Sequence, residues 1–178
     1  MTHFISRRAA LGAAIATLPL SALSGRVASA AAQPLPMPLG KVILTISGKI
    51  ARTNRDGAAA FDMAMLEGLG VKEFSTTTPW YNGLVSFEGV PMAHLLDHVG
   101  AVGSKVTAMA LNDYTTDIPV EDFHRYEAIL ALKRDGAYMQ VRDKGPLFIV
   151  YPYDSDPALK QQRYYSRSAW QVARLVVA

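Results

Sequence analysis

The sequence has 178 residues, no cysteine, and 18 basic against 15 acidic side chains. Three of the basic residues, Arg7, Arg8 and Arg26, lie in the first 30 positions, which contain no acid, so the remainder carries 15 of each sign. This balance gives no general attraction for nucleic acid or for an anionic membrane surface. The lack of cysteine excludes disulfides and thiolate ligands, so a domain of this length must depend on its core alone.

Residues 1–30 predict an export signal. Ser6-Arg7-Arg8 precedes an apolar run from Ala9 to Leu23, and Ala28-Ser29-Ala30 offers small residues at the spacing of a cleavage site. The run is interrupted and shorter than the roughly 20 apolar residues of a membrane span, so we do not expect an integral membrane protein. The paired arginines resemble a twin-arginine signal, with general secretion as the alternative. Both routes predict a periplasmic protein.

The segment that follows predicts a tether and then the first elements of a domain. Three prolines and no charge in residues 31–39 are typical of an extended linker, so the fold is expected to start at residue 40. Lys41–Gly48 alternates apolar and polar residues with the period of a half-buried strand. Asp62 is a suitable cap for a short helix that runs to Leu69.

The middle of the chain predicts a hairpin and the clearest helix. Val71–Pro79 has an extended, threonine-rich pattern, and Trp80-Tyr81-Asn82-Gly83 is a turn signal before a strand over Leu84–Val90. Pro91 is placed at the first position of a helix whose apolar residues recur at helical spacing until Gly100.

The second half predicts further strands separated by loops, with no long helix. The strands are expected at residues 106–111, 128–132, 147–151 and 172–177. Many strands, few short helices and no regular strand–helix alternation predict an α+β fold. We expect one domain over residues 40–178, built of mixed, mainly antiparallel strands.

The sequence gives little indication of a metal site or of a hydrolytic site. His94 and His98 have a spacing at which two imidazoles share a metal, but both are expected on the solvent face and no third ligand is evident. Glu121-Asp122-Phe123-His124 is interpreted as an exposed helical turn, although His124 is a base in principle. The sequence has no Gly-x-Ser-x-Gly motif, phosphate loop or dinucleotide fingerprint.

Aromatic and polar residues converge better in three predicted loops, at residues 76–82, 112–117 and 151–170. A flat heterocycle binds to such loops by stacking on aromatic faces, and Trp80, Tyr164 and Trp170 are candidates. Its polar edges need a carboxylate acceptor, from Asp113 or Asp117, and a guanidinium donor, from Arg163 or Arg167. The alternative is that the rings are core and the charges are surface pairs.

Three motifs, in this order, resemble the sulfite oxidase-like molybdopterin-binding domain family. They are the Phe87-Glu88-Gly89-Val90-Pro91 segment, the Asn112-Asp113-Tyr114 corner, and Lys144-Gly145-Pro146-Leu147 followed by Tyr151-Pro152-Tyr153. The resemblance covers residues 40–177 and implies that family's fold.

One departure from the family pattern bears on the chemistry. Enzymes of the family bind molybdenum through a cysteine, and the corresponding stretch here is Ser75-Thr76-Thr77-Thr78-Pro79-Trp80, which has no sulfur. A threonine hydroxyl does not replace a soft, anionic thiolate. Asn112-Asp113-Tyr114 also lacks the central glycine of the family motif. We therefore expect a pterin site, for a reduced or molybdopterin-like pterin, without molybdenum.

The sequence resembles a cysteine-free branch of this family, whose periplasmic members bind a reduced pterin. The resemblance implies a non-catalytic protein that reports ligand occupancy to the periplasmic domain of an inner-membrane signalling protein, such as a cyclic-di-GMP enzyme. The alternatives are a molybdopterin-dependent oxidoreductase or its subunit, and a structural subunit whose aromatic loops form an interface. The predicted ligand-binding residues are Thr78, Trp80, Asn112, Asp113, Tyr114, Tyr165, Ser166, Arg167 and Trp170.

Overall fold

The computed structural model describes residues 1–2 and 34–178, so the predicted export signal lies, except for its first two residues, outside the described part. The described part of the tether, residues 34–39, packs on the domain. Leu35 is buried, and its N–H donates to the Thr53 carbonyl oxygen at 3.2 Å. The expectation that the fold starts at residue 40 is therefore corrected, because Leu35 belongs to the core.

The first sheet contains both ends of the domain. Its strand order is β2-β1-β10-β5-β6, and only β1 and β10 are parallel. The strands are β1 (Leu44–Gly48), β2 (Ala59–Phe61), β5 (Lys105–Ala110), β6 (Thr115–Pro119) and β10 (Val172–Val177).

The second sheet is wholly antiparallel. Its order is β3-β4-β7-β8, and β9 also pairs with β7. The strands are β3 (Lys72–Thr78), β4 (Tyr81–Pro91), β7 (Ile129–Arg134), β8 (Ala137–Tyr138) and β9 (Phe148–Val150). Buried residues of both sheets form one hydrophobic cluster with residues of the helices. These sheets and the short helices confirm the predicted α+β fold.

Four short α-helices occur in the described residues: α1 (Met63–Gly68), α2 (Met92–His98), α3 (Val120–Tyr126) and α4 (Gln162–Arg167). The Asp62 carboxylate caps α1 by accepting from the Met65 N–H at 2.9 Å, as its position predicts. No helix in the part of the chain that the structure describes is long and apolar enough to cross a membrane.

Two predictions about helices need correction. The turn at residues 121–124 is exposed only at Glu121 and His124, because α3 buries Asp122, Phe123 and Tyr126 against the body of the domain. The predicted loop over residues 151–170 contains α4, which lacks the apolar stripe by which a helix is recognised in a sequence.

Gly89 shows why the aromatic-x-Gly-Val-Pro motif has its form. Phe87 and Val90 are fully buried, and a Cβ atom at Gly89 would lie 2.1 Å from the Leu130 carbonyl oxygen of β7. Only glycine allows the two strands this approach, at a register shift in the β4–β7 ladder. The motif thus sets the strand pairing just before α2 begins.

Candidate functional site

An aromatic groove of about 250 Å³ opens where three segments meet: the β3–β4 turn, the β5–β6 corner, and α4 with the chain that follows it. The side chains that line it within residues 34–178 are all uncharged. They are Pro79, Trp80, Tyr114, Gln162, Tyr165, Ser166, Ser168 and Trp170. Five of the nine predicted ligand-binding residues, Trp80, Tyr114, Tyr165, Ser166 and Trp170, are therefore brought together.

Trp80 lies at the centre of the aromatic side chains of the groove. Its ring meets four others edge-on, with centroid distances of 5.4 Å to Phe148, 6.1 Å to Tyr153, 6.0 Å to Tyr165 and 5.7 Å to Trp170. Edge-to-face contacts of this kind hold each ring in a fixed orientation. The groove therefore has a preformed aromatic wall.

Thr78 fixes the turn that carries Trp80. Its hydroxyl oxygen accepts from the Trp80 N–H at 3.3 Å and from the Tyr81 N–H at 3.2 Å. This side chain closes the turn locally, as threonine commonly does. Thr78 does not line the groove, so the structure gives it a role in positioning Trp80, and its predicted contact with a ligand stays a prediction.

The β5–β6 corner places Tyr114 beside α4. The Tyr114 hydroxyl donates to the Ser166 carbonyl oxygen at 2.7 Å, and the Asn112 side chain accepts from the Tyr114 N–H at 3.2 Å. Asp113 has a left-handed backbone with φ +65, which explains why the family motif has glycine at this point. Asn112 and Asp113 are exposed outside the groove, and their ligand roles stay predictions.

Arg167 lies on the other side of α4 from the groove. Its guanidinium donates to the Asp122 carboxylate at 2.7 Å, and the Tyr151 hydroxyl donates to the same oxygen at 3.1 Å. Burial, together with the negative charge of Asp122, raises the pKa of Tyr151 far above its usual value. The pair thus anchors α4 on the side away from the groove, and the predicted contact of Arg167 with a ligand stays a prediction.

A second anchor connects α4 to the groove from beneath. The hydroxyls of Tyr153 and Ser168 are hydrogen-bonded, and Ser168 also donates to the Tyr164 carbonyl oxygen at 2.8 Å. Burial raises the pKa of Tyr153 as well. Because Tyr153 also contacts Trp80, this hydrogen bond links the aromatic wall to the end of α4.

The segment in which the family places its metal-binding cysteine is a strand here, and its threonines have structural partners. Thr76 is fully buried and its hydroxyl accepts from the Asp154 N–H at 3.1 Å. The Asp154 carboxylate accepts from the Thr77 N–H at 2.6 Å and from its hydroxyl at 2.8 Å. The Lys160 ammonium and then the Thr77 groups lower the pKa of Asp154. Nothing in this arrangement supplies sulfur, so the residues present do not fit a metal held by a protein thiolate.

The two helix histidines differ from expectation in one respect. His94 is exposed, but His98 is half-buried against Phe61, with ring centroids 6.4 Å apart. Burial lowers the pKa of His98. Within residues 34–178, no group of three His, Cys, Asp or Glu residues is placed to hold a metal ion.

The sequence reading missed three side chains of the site. Gln162 and Ser168 line the groove, and the Lys144 ammonium lies 4.6 Å from the centre of the Trp170 ring. Gln162 shares a helical face with Tyr165 and Ser166, so predicting α4 would have found it. Lys144 belongs to a recognised motif, but its contact with Trp170 depends on the fold.

The fold and this groove define an α+β domain with a preformed aromatic groove. The sequence matches the model of the oxidoreductase molybdopterin binding domain over residues 60–154. The chain therefore belongs to that family, the one which its sequence motifs resemble. Family membership indicates a pterin-type cofactor, and the neutral aromatic groove fits the ring system of such a ligand.

Among solved structures, the fold is similar to the sulfane dehydrogenase SoxCD from Paracoccus pantotrophus. The TM-score is 0.58 at 17% identity, over 75% of this chain and 37% of that chain. This likeness supports the fold alone, and the chain corresponds to little more than a third of the enzyme's length. No curated protein matches the sequence.

Proposed function

We propose that this is a periplasmic, non-catalytic pterin-binding protein that reports ligand occupancy to an inner-membrane signalling protein, such as a cyclic-di-GMP enzyme. The observation that carries the proposal is the coincidence of a neutral, aromatic groove with a chain that has no cysteine. The groove retains what a pterin ring needs, while the thiolate ligand used for molybdenum chemistry in the family is lost.

The side chains around the groove match the ligand chemistry. Trp80, Tyr165 and Trp170 offer aromatic surface for a bicyclic ring. Gln162 and Ser166 offer an amide and a hydroxyl, which donate and accept hydrogen bonds as the edge of a pterin does. The lining side chains would therefore recognise the ligand by stacking and neutral hydrogen bonds, with the Lys144 ammonium beside the Trp170 ring.

The proposed compartment and partner rest on features of the sequence. The pattern of residues 1–30 supports export, and the family resemblance supports a partner at the inner membrane. A partner distinguishes two states only if the ligand stabilises one of them. We propose that the segment from Tyr151 to Tyr164 changes on binding, since it leads directly into the groove-lining helix α4.

Calorimetric titration of the exported protein with a tetrahydropterin under nitrogen tests the binding. We expect saturable binding, weakened by about 1 to 3 kcal/mol in Trp80→Ala because the aromatic wall loses its central ring. Leu84→Ala, which changes an exposed apolar residue of the same hairpin, is the matched control. The absence of both a binding heat and a thermal shift at millimolar ligand would rule the proposal out.

A second candidate function, supported by family membership, is a molybdopterin-dependent oxidoreductase or a subunit of one. Molybdopterin would bring its own dithiolene sulfurs to the metal, and this chain would hold only the pterin. Metal analysis of protein expressed with its own N-terminal segment separates the two functions. One molybdenum per chain supports the oxidoreductase, and a metal-free pterin complex supports the sensor.

A further inference from the structure

An apolar hollow of about 300 Å³ lies beside the aromatic groove, at the end of the first sheet where β1 and β10 begin. Its walls include Ile43, Leu111, Val141 and Pro146. Leu111 and Val141 remain 54% and 50% exposed. Exposed apolar side chains that cluster around one hollow indicate an interaction surface, whereas single exposed apolar residues are common on any protein surface.

Two cations border this hollow. Lys41 and Arg174 both contribute to its lining, and neither makes an ion pair or a side-chain hydrogen bond within the described residues. No acidic side chain lines the hollow among residues 34–178. The complementary occupant therefore carries carboxylates close to an apolar residue.

The shape of the surface favours a protein segment over a lipid surface. Peripheral membrane contact uses apolar side chains that protrude into the bilayer, usually with several cations around them. Here the apolar residues line a concavity, and among residues 34–178 the cations that line it are Lys41 and Arg174. A concave apolar site flanked by charge suits an inserted side chain from a partner chain.

Gln171 connects this hollow to the groove. Its side chain donates to the Val141 carbonyl oxygen at 2.7 Å, and its carbonyl oxygen accepts from the Leu111 N–H at 2.9 Å. Its own N–H donates to the Lys144 carbonyl oxygen at 3.0 Å. The preceding residue is Trp170, which lines the groove. One residue in a left-handed conformation, with φ +55, thus ties both walls of the hollow to the groove.

We propose that this hollow is the docking surface for an acidic segment of a partner protein, with an apolar side chain of that segment inserted between Leu111 and Val141. Docking itself stands independently of the ligand. Its regulation rests on the proposed function: a ligand against Trp170 shifts Gln171 and so changes the separation of Leu111 and Val141.

Photo-crosslinking in the producing cell tests the docking. The full chain carries p-benzoylphenylalanine at position 141, or at position 84 as a control, where Leu84 is exposed on β4. We expect an adduct at position 141 that is absent at position 84. Sequencing should place the attachment in another protein, within an acidic segment that contains an apolar residue.

Charge reversal decides whether the adduct depends on the proposed contacts. Arg174→Glu should lower the adduct yield about fivefold to tenfold, because charges at the rim act mainly on the association rate. Lys49→Glu makes the same change at an exposed lysine outside the hollow and should leave the yield unchanged. Lys41→Glu serves as the second variant if thermal melting shows that Arg174→Glu does not fold.

Several results would overturn the docking proposal. One is an adduct yield at position 141 no higher than at position 84. Others are an adduct with a second copy of this chain, with lipid, or with a protein segment that lacks carboxylates. The last is an equal loss of adduct yield in Arg174→Glu and Lys49→Glu.

Added tetrahydropterin separates this proposal from the proposed function. If both hold, the pterin changes the yield at position 141, and Gln171→Ala removes that change. If calorimetry shows that the pterin binds but the adduct yield at position 141 stays the same, the regulation is refuted and the docking proposal still holds. Pterin binding without a position-specific adduct refutes docking and leaves the pterin site intact.

Discussion

The two faces of helix α4 use the same short stretch of sequence for different purposes. The inner face carries Tyr164 and Arg167, which bond to buried groups of α3. The outer face carries Gln162, Tyr165 and Ser166, which line the groove. The Arg167 charge is used for anchoring, Arg163 is exposed beside the Tyr164 ring, and the groove-lining residues of the helix are neutral. Stability and ligand binding should therefore respond to different residues of one helix.

The largest effect is expected from the carboxylate that holds the inner face. Asp122→Ala leaves the Arg167 guanidinium and the Tyr151 hydroxyl without their shared acceptor. We expect the free energy of unfolding, measured in urea, to fall by about 3 kcal/mol. Asp97→Ala removes an exposed carboxylate from α2 and is the control. Equal losses in the two variants would mean that the inner face does not anchor α4.

The outer face is tested by Tyr165→Leu, which removes a ring that contacts both Trp80 and Tyr153. Pterin affinity, measured by calorimetry, should fall about tenfold, which corresponds to roughly 1.4 kcal/mol. Tyr165→Phe keeps the ring and is the matched control. A loss of stability larger than the loss of binding energy would contradict the division between the faces.

A smaller effect distinguishes two adjacent tyrosines. Tyr164→Phe removes a buried hydroxyl that donates to the Tyr126 hydroxyl at 2.9 Å, and we expect a loss of about 1 kcal/mol in thermal or urea unfolding. Tyr165→Phe should change stability by less, since that side chain is only half-buried on the groove side. Equal effects would show that the two faces are equally solvated.

The smallest effect concerns the anchor of the other groove wall, where Asp154 bonds to Thr77 and Lys160. The folded state holds the pKa of Asp154 below its unfolded value, so its contribution is present above about pH 4 and is lost as the pH falls through the folded pKa. Asp154→Asn should flatten the fall in stability over the acidic range. Asp97→Asn, at an exposed position, should leave the profile as it is.

Elements whose pattern follows from local burial could be predicted. Strands β1, β5 and β10 and helices α1 and α2 contain apolar residues at the period of their structure, and β7 and β9 are short apolar runs that contain Ile, Leu, Phe or Val. Strand β2 is also fully buried, but Ala59 and Ala60 give neither an alternation nor a β-branched run. Helix α4 is held by tertiary bonds to α3, which no local pattern contains.

The residue types of the site could be predicted from the sequence better than the directions in which their side chains point. Trp80 and Trp170 could be chosen because large aromatic residues beside polar turns suit a flat ligand. The direction of Arg167 depends on the burial of Asp122, 45 residues away in the sequence. No local pattern indicates that burial, so the carboxylate partner of Arg167 could not be predicted from the sequence.

The placement of the two indole rings has a practical consequence. The sequence contains two tryptophans, and both lie in the groove with their ring centres 5.7 Å apart at 77°. Nearly all of the intrinsic emission of the protein therefore originates at the place where a heterocycle would stack. Coupled excitation of such a pair also predicts a strong near-ultraviolet dichroic band, so the protein carries its own optical reporter, without any attached dye.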